Sequence, residues 1–130
     1  MTAPMTIGRL AKAAGVNVET VRYYQRRGLI GEPRKPPGGQ RRYSQQVLRE
    51  IAFIRRAQQL GFTLEEIGSL MKIARSGTCR EARLIAEKRY AVVASRVAEL
   101  ERMRRELATL IAACRRKGTS CPLIDALEGD

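Results

Sequence analysis

Residues 6–28 read TIGRLAKAAGVNVETVRYYQRRG, and the punctuation of this stretch decides the fold. Thr6 and Asn17 are N-cap residues, and the glycines at 15 and 28 are helix stops, so two short helices flank a tight turn. At ~100° per residue, Val18, Val21, Tyr24 and Gln25 share one side of the second helix, while Glu19, Arg22, Tyr23 and Arg26 share the other. One side is apolar enough to be core, with Tyr24 packed there; the other is basic and aromatic. Two short helices about a turn, the second presenting Arg and Tyr, form the helix-turn-helix pattern, whose second helix enters the DNA major groove.

The next segment, GEPRKPPGGQRRY at 31–43, holds three prolines, three glycines and four basic residues. It cannot be helical and is expected as a loop or hairpin, a basic wing that grips phosphates beside the helix-turn-helix. Lys35, Arg41, Arg42 and Tyr43 are its candidate contact residues, and Arg22, Tyr23 and Arg26 are those of the second helix.

Charge supports a polyanionic partner. The 130 residues carry 25 Lys plus Arg against 13 Asp plus Glu, a formal charge of +12. Residues 1–61 contribute 12 basic and 3 acidic side chains (+9), whereas residues 62–130 contribute 13 and 10 (+3). The nucleic-acid surface therefore belongs to the N-terminal half. Histidine is absent, which excludes Ser-His-Asp and Cys-His catalysis and any imidazole metal ligand. No enzyme activity is expected. No apolar run approaches the ~20 residues needed to span a bilayer, and no signal-peptide pattern opens the sequence. A cytoplasmic protein with reduced thiols and no membrane partner is expected.

Ser44 is expected to cap a helix running to about Leu60, with Gly61 as its stop. Thr63-Leu64-Glu65-Glu66 has the spacing of a capping box, and Ile67, Leu70, Met71 and Ala74 follow at helical intervals. This aliphatic stripe reads as core. From about Arg80 to Ala113 neither Gly nor Pro interrupts the chain, and Ala86, Tyr90, Val93, Val97, Leu100, Arg104, Leu107, Ile111 and Cys114 recur at alternating gaps of four and three. Such a coiled-coil seam needs a partner helix, and a homodimer is expected. Arg104 interrupts the seam, with Met103 beside it.

The three cysteines give the most specific spacing. Cys79 precedes the long helix, Cys114 ends it, and Cys121 follows in CRRKGTSCPLI, a segment made basic by Arg115, Arg116 and Lys117. Gly118 allows a turn between Cys114 and Cys121. Cys79 and Cys114 are 35 residues apart, five heptads, which would leave them about 52 Å apart on a straight helix. An antiparallel dimer resolves this by laying the start of one helix against the end of the other. Each of two sites would then combine Cys79 of one chain with Cys114 and Cys121 of its partner. Thiolates without His select soft, thiophilic metals over Mg²⁺ or Ca²⁺. A redox pair or a thiolate protein that merely sequesters metal are the competing readings of the cysteines, and the helix-turn-helix argues against the second.

Together, TIGRLAKAAGVNVETVRYYQRRGLI, GGQRRY, the TLEEI helix start and a cysteine-flanked long helix resemble the MerR family of bacterial transcription regulators over about residues 5–127. Cys79, Cys114 and the ending Cys121-Pro122-Leu123-Ile124 resemble its mercury-responsive members. The resemblance implies a mainly all-α fold: a winged helix-turn-helix DNA-binding domain at 1–77, a dimerisation helix at 78–113 forming an antiparallel coiled coil, and a metal-binding loop and C-terminal segment at 114–130. It implies a repressor and activator of a metal-resistance promoter that binds double-stranded DNA, works with RNA polymerase, and responds to Hg(II) by distorting the DNA. Copper-responsive relatives carry Ser in place of the first cysteine, and zinc-responsive relatives use a His that this chain lacks. The Cys114–Cys121 loop is two residues shorter than is usual in mercury sensors, a length shared with cadmium- and lead-responsive members, so Cd(II) and Pb(II) are the alternatives.

Overall fold

The computed structural model describes residues 4–116, 118 and 120–129; Lys117 of the expected basic loop lies outside them. Among the described residues there are six helices: α1 (Ile7–Ala14), α2 (Val18–Arg26), α3 (Gln45–Gln59), α4 (Leu64–Ser76), α5 (Cys79–Cys114) and α6 (Pro122–Glu128). The all-helical class expected from the sequence is what the chain adopts. None of these helices is long and apolar enough to cross a membrane.

Local chemistry sets the boundaries. Thr6 Oγ1 accepts from the Arg9 amide, and Gly15 at φ 72° closes α1 in the left-handed region that a side chain would disfavour. Asn17 Oδ1 accepts from the Thr20 amide at 2.8 Å to start α2. At α4 both halves of the capping box are present: Thr63 Oγ1 accepts from the Glu66 amide, and Glu66 Oε1 accepts from the Thr63 amide at 2.8 Å. Ser44 departs from expectation. It occupies the N-cap position of α3 in an extended conformation, but its hydroxyl makes no capping hydrogen bond.

The chain forms two compact units, Met1–Arg89 and Tyr90–Asp130. In the first, α1, α2, α3 and α4 enclose a core of Leu10, Ala11, Val21, Tyr24, Ile30, Tyr43, Ile51, Ile54, Ala57, Ile67 and Met71. The α4 stripe contributes Ile67 and Met71, whereas Leu70 is half-buried and Ala74 exposed. Two tyrosines bring hydroxyls inside, and both are satisfied. Tyr24 donates to Gln58 Oε1 at 2.8 Å, and Tyr43 accepts from Gln25 Nε2 at 2.6 Å. Burial raises the Tyr24 phenol above its ordinary value, with Arg55 opposing the shift.

Residues 31–43 form the expected loop. It is closed by an antiparallel bridge in which Met5 and Tyr43 exchange both backbone hydrogen bonds, at 2.8 and 2.7 Å. Inside the loop Arg41 pairs with Glu32 at 2.9 Å and donates from Nε to the Pro33 carbonyl at 3.0 Å, fixing its path.

The seam helix ends at Cys114 as expected and begins at Cys79, which was placed just before it, so two of the three cysteines are its terminal residues. No residue of α5 is buried. In the second unit Tyr90, Val93, Val97, Leu100, Leu107 and Ile111 are all exposed, and Arg104 turns to Glu101 at 2.7 Å. The C-terminal segment after Cys121, for which no secondary structure was expected, forms the short helix α6, with Pro122 in its first turn.

Candidate nucleic-acid interface and thiolate site

The first unit carries an open cleft of about 660 Å³ between the start of α1, the outer face of α2 and the wing loop. Arg22, Gln25 and Arg26 line it from α2, Lys35 and Arg41 from the wing, and Tyr43 closes it from within. Five of the seven sequence-expected contact residues therefore meet at one concave surface. Arg22 pairs with Glu19 at 2.8 Å, but both side chains are exposed, and such pairs exchange readily for a phosphate or base edge.

Tyr23 lies beside the cleft rather than in its lining, at the centre of a small cationic cluster. The guanidinium carbons of Arg26 and Arg27 lie 5.8 and 5.9 Å from its ring centroid, and Arg27 donates to its hydroxyl at 3.2 Å. Arg42 is exposed and does not line the cleft. Tyr43 needs a positional correction. Expected as a wing contact, it is 1% exposed, because the bridge to Met5 turns its ring into the core and leaves its hydroxyl bound to Gln25.

Two residues escaped the sequence reading. Gln25 falls on the core side of the helical wheel, yet its amide joins the recognition helix to the wing through Tyr43. Arg27 lies just past the helix end, where its spacing of four from Tyr23 was the available signal.

In the second unit Cys114 ends α5, Cys121 precedes α6, and their Sγ atoms are 4.0 Å apart. Two sulfurs bound to one ion at about 2.3 Å each cannot lie more than ~4.6 Å apart, so this pair fits a shared soft metal without rearrangement. All three cysteines are free and exposed. The amides at the start of α6 lie near the Cys121 sulfur without closing a capping bond. Ile124 N–H foremost, then Cys114 and Leu123 N–H, hold its thiol below the ordinary value against the opposing effects of burial and Asp125. Among the described residues of a single chain, no three His, Cys, Asp or Glu side chains are grouped to hold a metal ion.

Comparison with known proteins agrees with this architecture. Residues 5–73 match the model of the MerR HTH family regulatory proteins, and residues 48–110 match that of the MerR DNA-binding region. A mercuric resistance operon regulatory protein of Shigella flexneri is 48% identical over 128 residues, covering 97% of this chain and 89% of the relative. Among solved structures, the regulator PbrR691 of Ralstonia metallidurans in complex with lead(II) superposes with a TM-score of 0.81 at 34% identity, covering 95% of this chain and 98% of that one. MerR of Bacillus megaterium in complex with mercury(II) gives 0.72 at 34% identity, covering 95% and 99%. The chain belongs to the MerR family of helix-turn-helix regulatory proteins, DNA-binding transcription regulators rather than enzymes.

Proposed function

We propose that this regulator is a cytoplasmic homodimer that senses Hg(II) and switches a metal-resistance promoter from repressed to active. The observation that carries the reading is the 4.0 Å Cys114–Cys121 pair at one end of a helix whose other end is Cys79. In an antiparallel dimer each site takes Cys79 from one protomer and Cys114 with Cys121 from the other. The exposed seam from Tyr90 to Ile111 supplies the interface, since an apolar stripe of that length has to be covered. Functionally, residues 1–77 bind DNA, 78–113 dimerise, and 114–130 complete the metal site.

Arg22, Tyr23, Arg26, Lys35, Arg41 and Arg42 contact promoter DNA, with Tyr43 acting by positioning Gln25 and the wing. Thiolate coordination across the dimer favours one of two arrangements of the DNA-binding units, and a ligand shifts such an equilibrium only by its differential affinity. The favoured arrangement distorts the promoter so that RNA polymerase engages both of its elements, a use of DNA deformability rather than new base contacts.

Soft thiolates without His suit Hg(II), and the Shigella flexneri relative is named for mercuric resistance. Pb(II) and Cd(II) are the competing effectors, favoured by the short Cys114–Cys121 loop and by the likeness to a lead(II) complex. In-vitro transcription with each metal separates them: activation at lowest free concentration by Hg(II) is expected, and by Pb(II) or Cd(II) instead would move the assignment. The shared site has its own test. Cys79→Ala and Cys114→Ala homodimers should both lose tight metal binding, while the purified mixed dimer of the two should regain one site. Recovery of none, or of two, is incompatible with sites built across the dimer.

A further inference from the structure

Of the described ion pairs, that between Glu66 of α4 and Arg89 of α5 alone joins two helices. It is also the least exposed: its side chains are 20% and 22% accessible, where the others range from 42% to 75%. Arg89 approaches one carboxylate oxygen, Glu66 Oε1, with Nε at 3.0 Å and a terminal nitrogen at 2.9 Å. The same oxygen accepts from the Thr63 amide as half of the capping box. Glu66 is thereby fixed to the first turn of α4, and a charge-assisted fork from Arg89 is read against a rigid reference.

The root of α5 has little else to hold it. No residue of α5 is buried, and Ala82, Ile85 and Arg89, at helical spacing, are half-buried on one face. Ile85 and Arg89 border a crevice shared with Thr63, Glu66 and Ser69 of the α4 start. Directly after Glu66 in α4 comes Ile67, fully buried in the core, and Tyr24 of the recognition helix is tied to that core through Gln58 of α3. A shift of α5 at Arg89 therefore meets α4 at the residue that closes its cap and directly precedes the buried Ile67.

We propose that Glu66 and Arg89 are positioning residues for metal-dependent activation, their ion pair fixing the root of α5 to the capped start of α4 so that movement of the helix reaches the DNA-binding core. The proposal rests on the metal-responsive reading above, and its test keeps the two apart. Glu66→Gln removes the charge while leaving a residue that still closes a capping box. Arg89→Gln removes the other partner, Arg89→Lys restores the charge without the fork, and the double variant completes a cycle.

The full-length dimer is assayed on its promoter with Hg(II) as the probe. Hg(II) affinity and metal-free promoter affinity should stay within about two-fold of the parent, while metal-dependent activation falls at least about five-fold in each single variant, the scale of a modest coupling between sites. The double variant should be no worse than either single, and Arg89→Lys should recover part of the activation. Unchanged activation in Arg89→Gln, or single effects that multiply in the double, overturns the proposal. A loss of Hg(II) binding in Arg89→Gln overturns it as well, because the pair would then build the metal site. Amide exchange without metal gives the independent arm: residues 79–89 should exchange faster in Arg89→Gln, and unchanged exchange refutes the anchor. Should the parent protein respond to no metal, the metal reading fails by itself, and the exchange arm still decides whether the pair anchors α5.

Discussion

The first unit and the long helix solve the burial of apolar surface in opposite ways. Residues up to 89 fold most of their large aliphatic side chains inward, Leu60 and Leu84 aside, leaving Leu10, Val21, Ile51, Ile54 and Ile67 with no exposure at all. From Tyr90 onward the same residue types stand in a stripe at heptad spacing, and Val97 and Leu100 remain more than half exposed. A cluster of short helices can close a core within one chain, whereas a single long helix has only one apolar face and nothing of its own to set against it. The difference teaches that, in the proposed homodimer, the two halves answer to different equilibria, one unimolecular and one set by concentration.

The sharpest way to break the comparison is to charge the stripe. Val97→Glu with Leu100→Glu should weaken dimerisation at least about hundred-fold, since uncompensated charges in an apolar seam cost several kcal/mol. Sedimentation equilibrium measures this, and the double variant should still show cooperative unfolding of the first unit. A variant that stays dimeric would remove the stripe from the interface. In the core, Ile54→Ala should destabilise the first unit by about 2–5 kcal/mol, read as a drop in Tm, because a fully enclosed side chain leaves a cavity. A loss as small as that of an exposed residue would mean that the core is not closed.

Acidification sharpens the contrast at the junction of α4 and α5. The Glu66 carboxyl is held below its ordinary value of 4.5, first by the Thr63 amide and then by Arg89. A depressed acid contributes stability that is present above its unfolded-state value and is lost as pH falls through the folded-state value. Wild type should therefore lose Tm more steeply than Glu66→Gln as pH falls below about 4.5, and parallel profiles would contradict the shift. The smallest effect lies in the cleft. Arg26→Ala should reduce the salt dependence of promoter binding by roughly one unit if it meets one phosphate, and Arg42→Ala tests whether the wing reaches DNA beyond the cleft lining.

Much of this protein is written in short-range chemistry. Thr6, Asn17, Gly15 and Gly28 bound the first two helices because caps and left-handed turns depend on the residues at the turn itself. The capping box at Thr63 and the extent of α5 follow from spacing alone, as does the placement of cysteines at both ends of that helix. Ser44 shows the limit of such reasoning, since a residue type suited to capping stands at the cap without bonding. Its hydroxyl competes with solvent, and only the local geometry decides the outcome.

Tertiary structure decided what no local pattern encodes. The bridge between Met5 and Tyr43 joins residues far apart in the chain, so the burial of Tyr43 and its bond to Gln25 were invisible to a reading of the wing as a basic surface. The sulfurs of Cys114 and Cys121 lie 4.0 Å apart, a distance that spacing permits but does not require. The union of Glu66 with Arg89 depends on α5 starting against α4, although both side chains read in sequence as ordinary charges on solvated faces. The sequence by itself determined the first five helices, the caps at Thr6, Asn17 and Thr63, and the apolar stripe, because these are set by neighbours within a few residues. Which polar side chains meet was decided by the fold, because long-range pairing depends on how helices pack and not on what stands beside a residue in the chain.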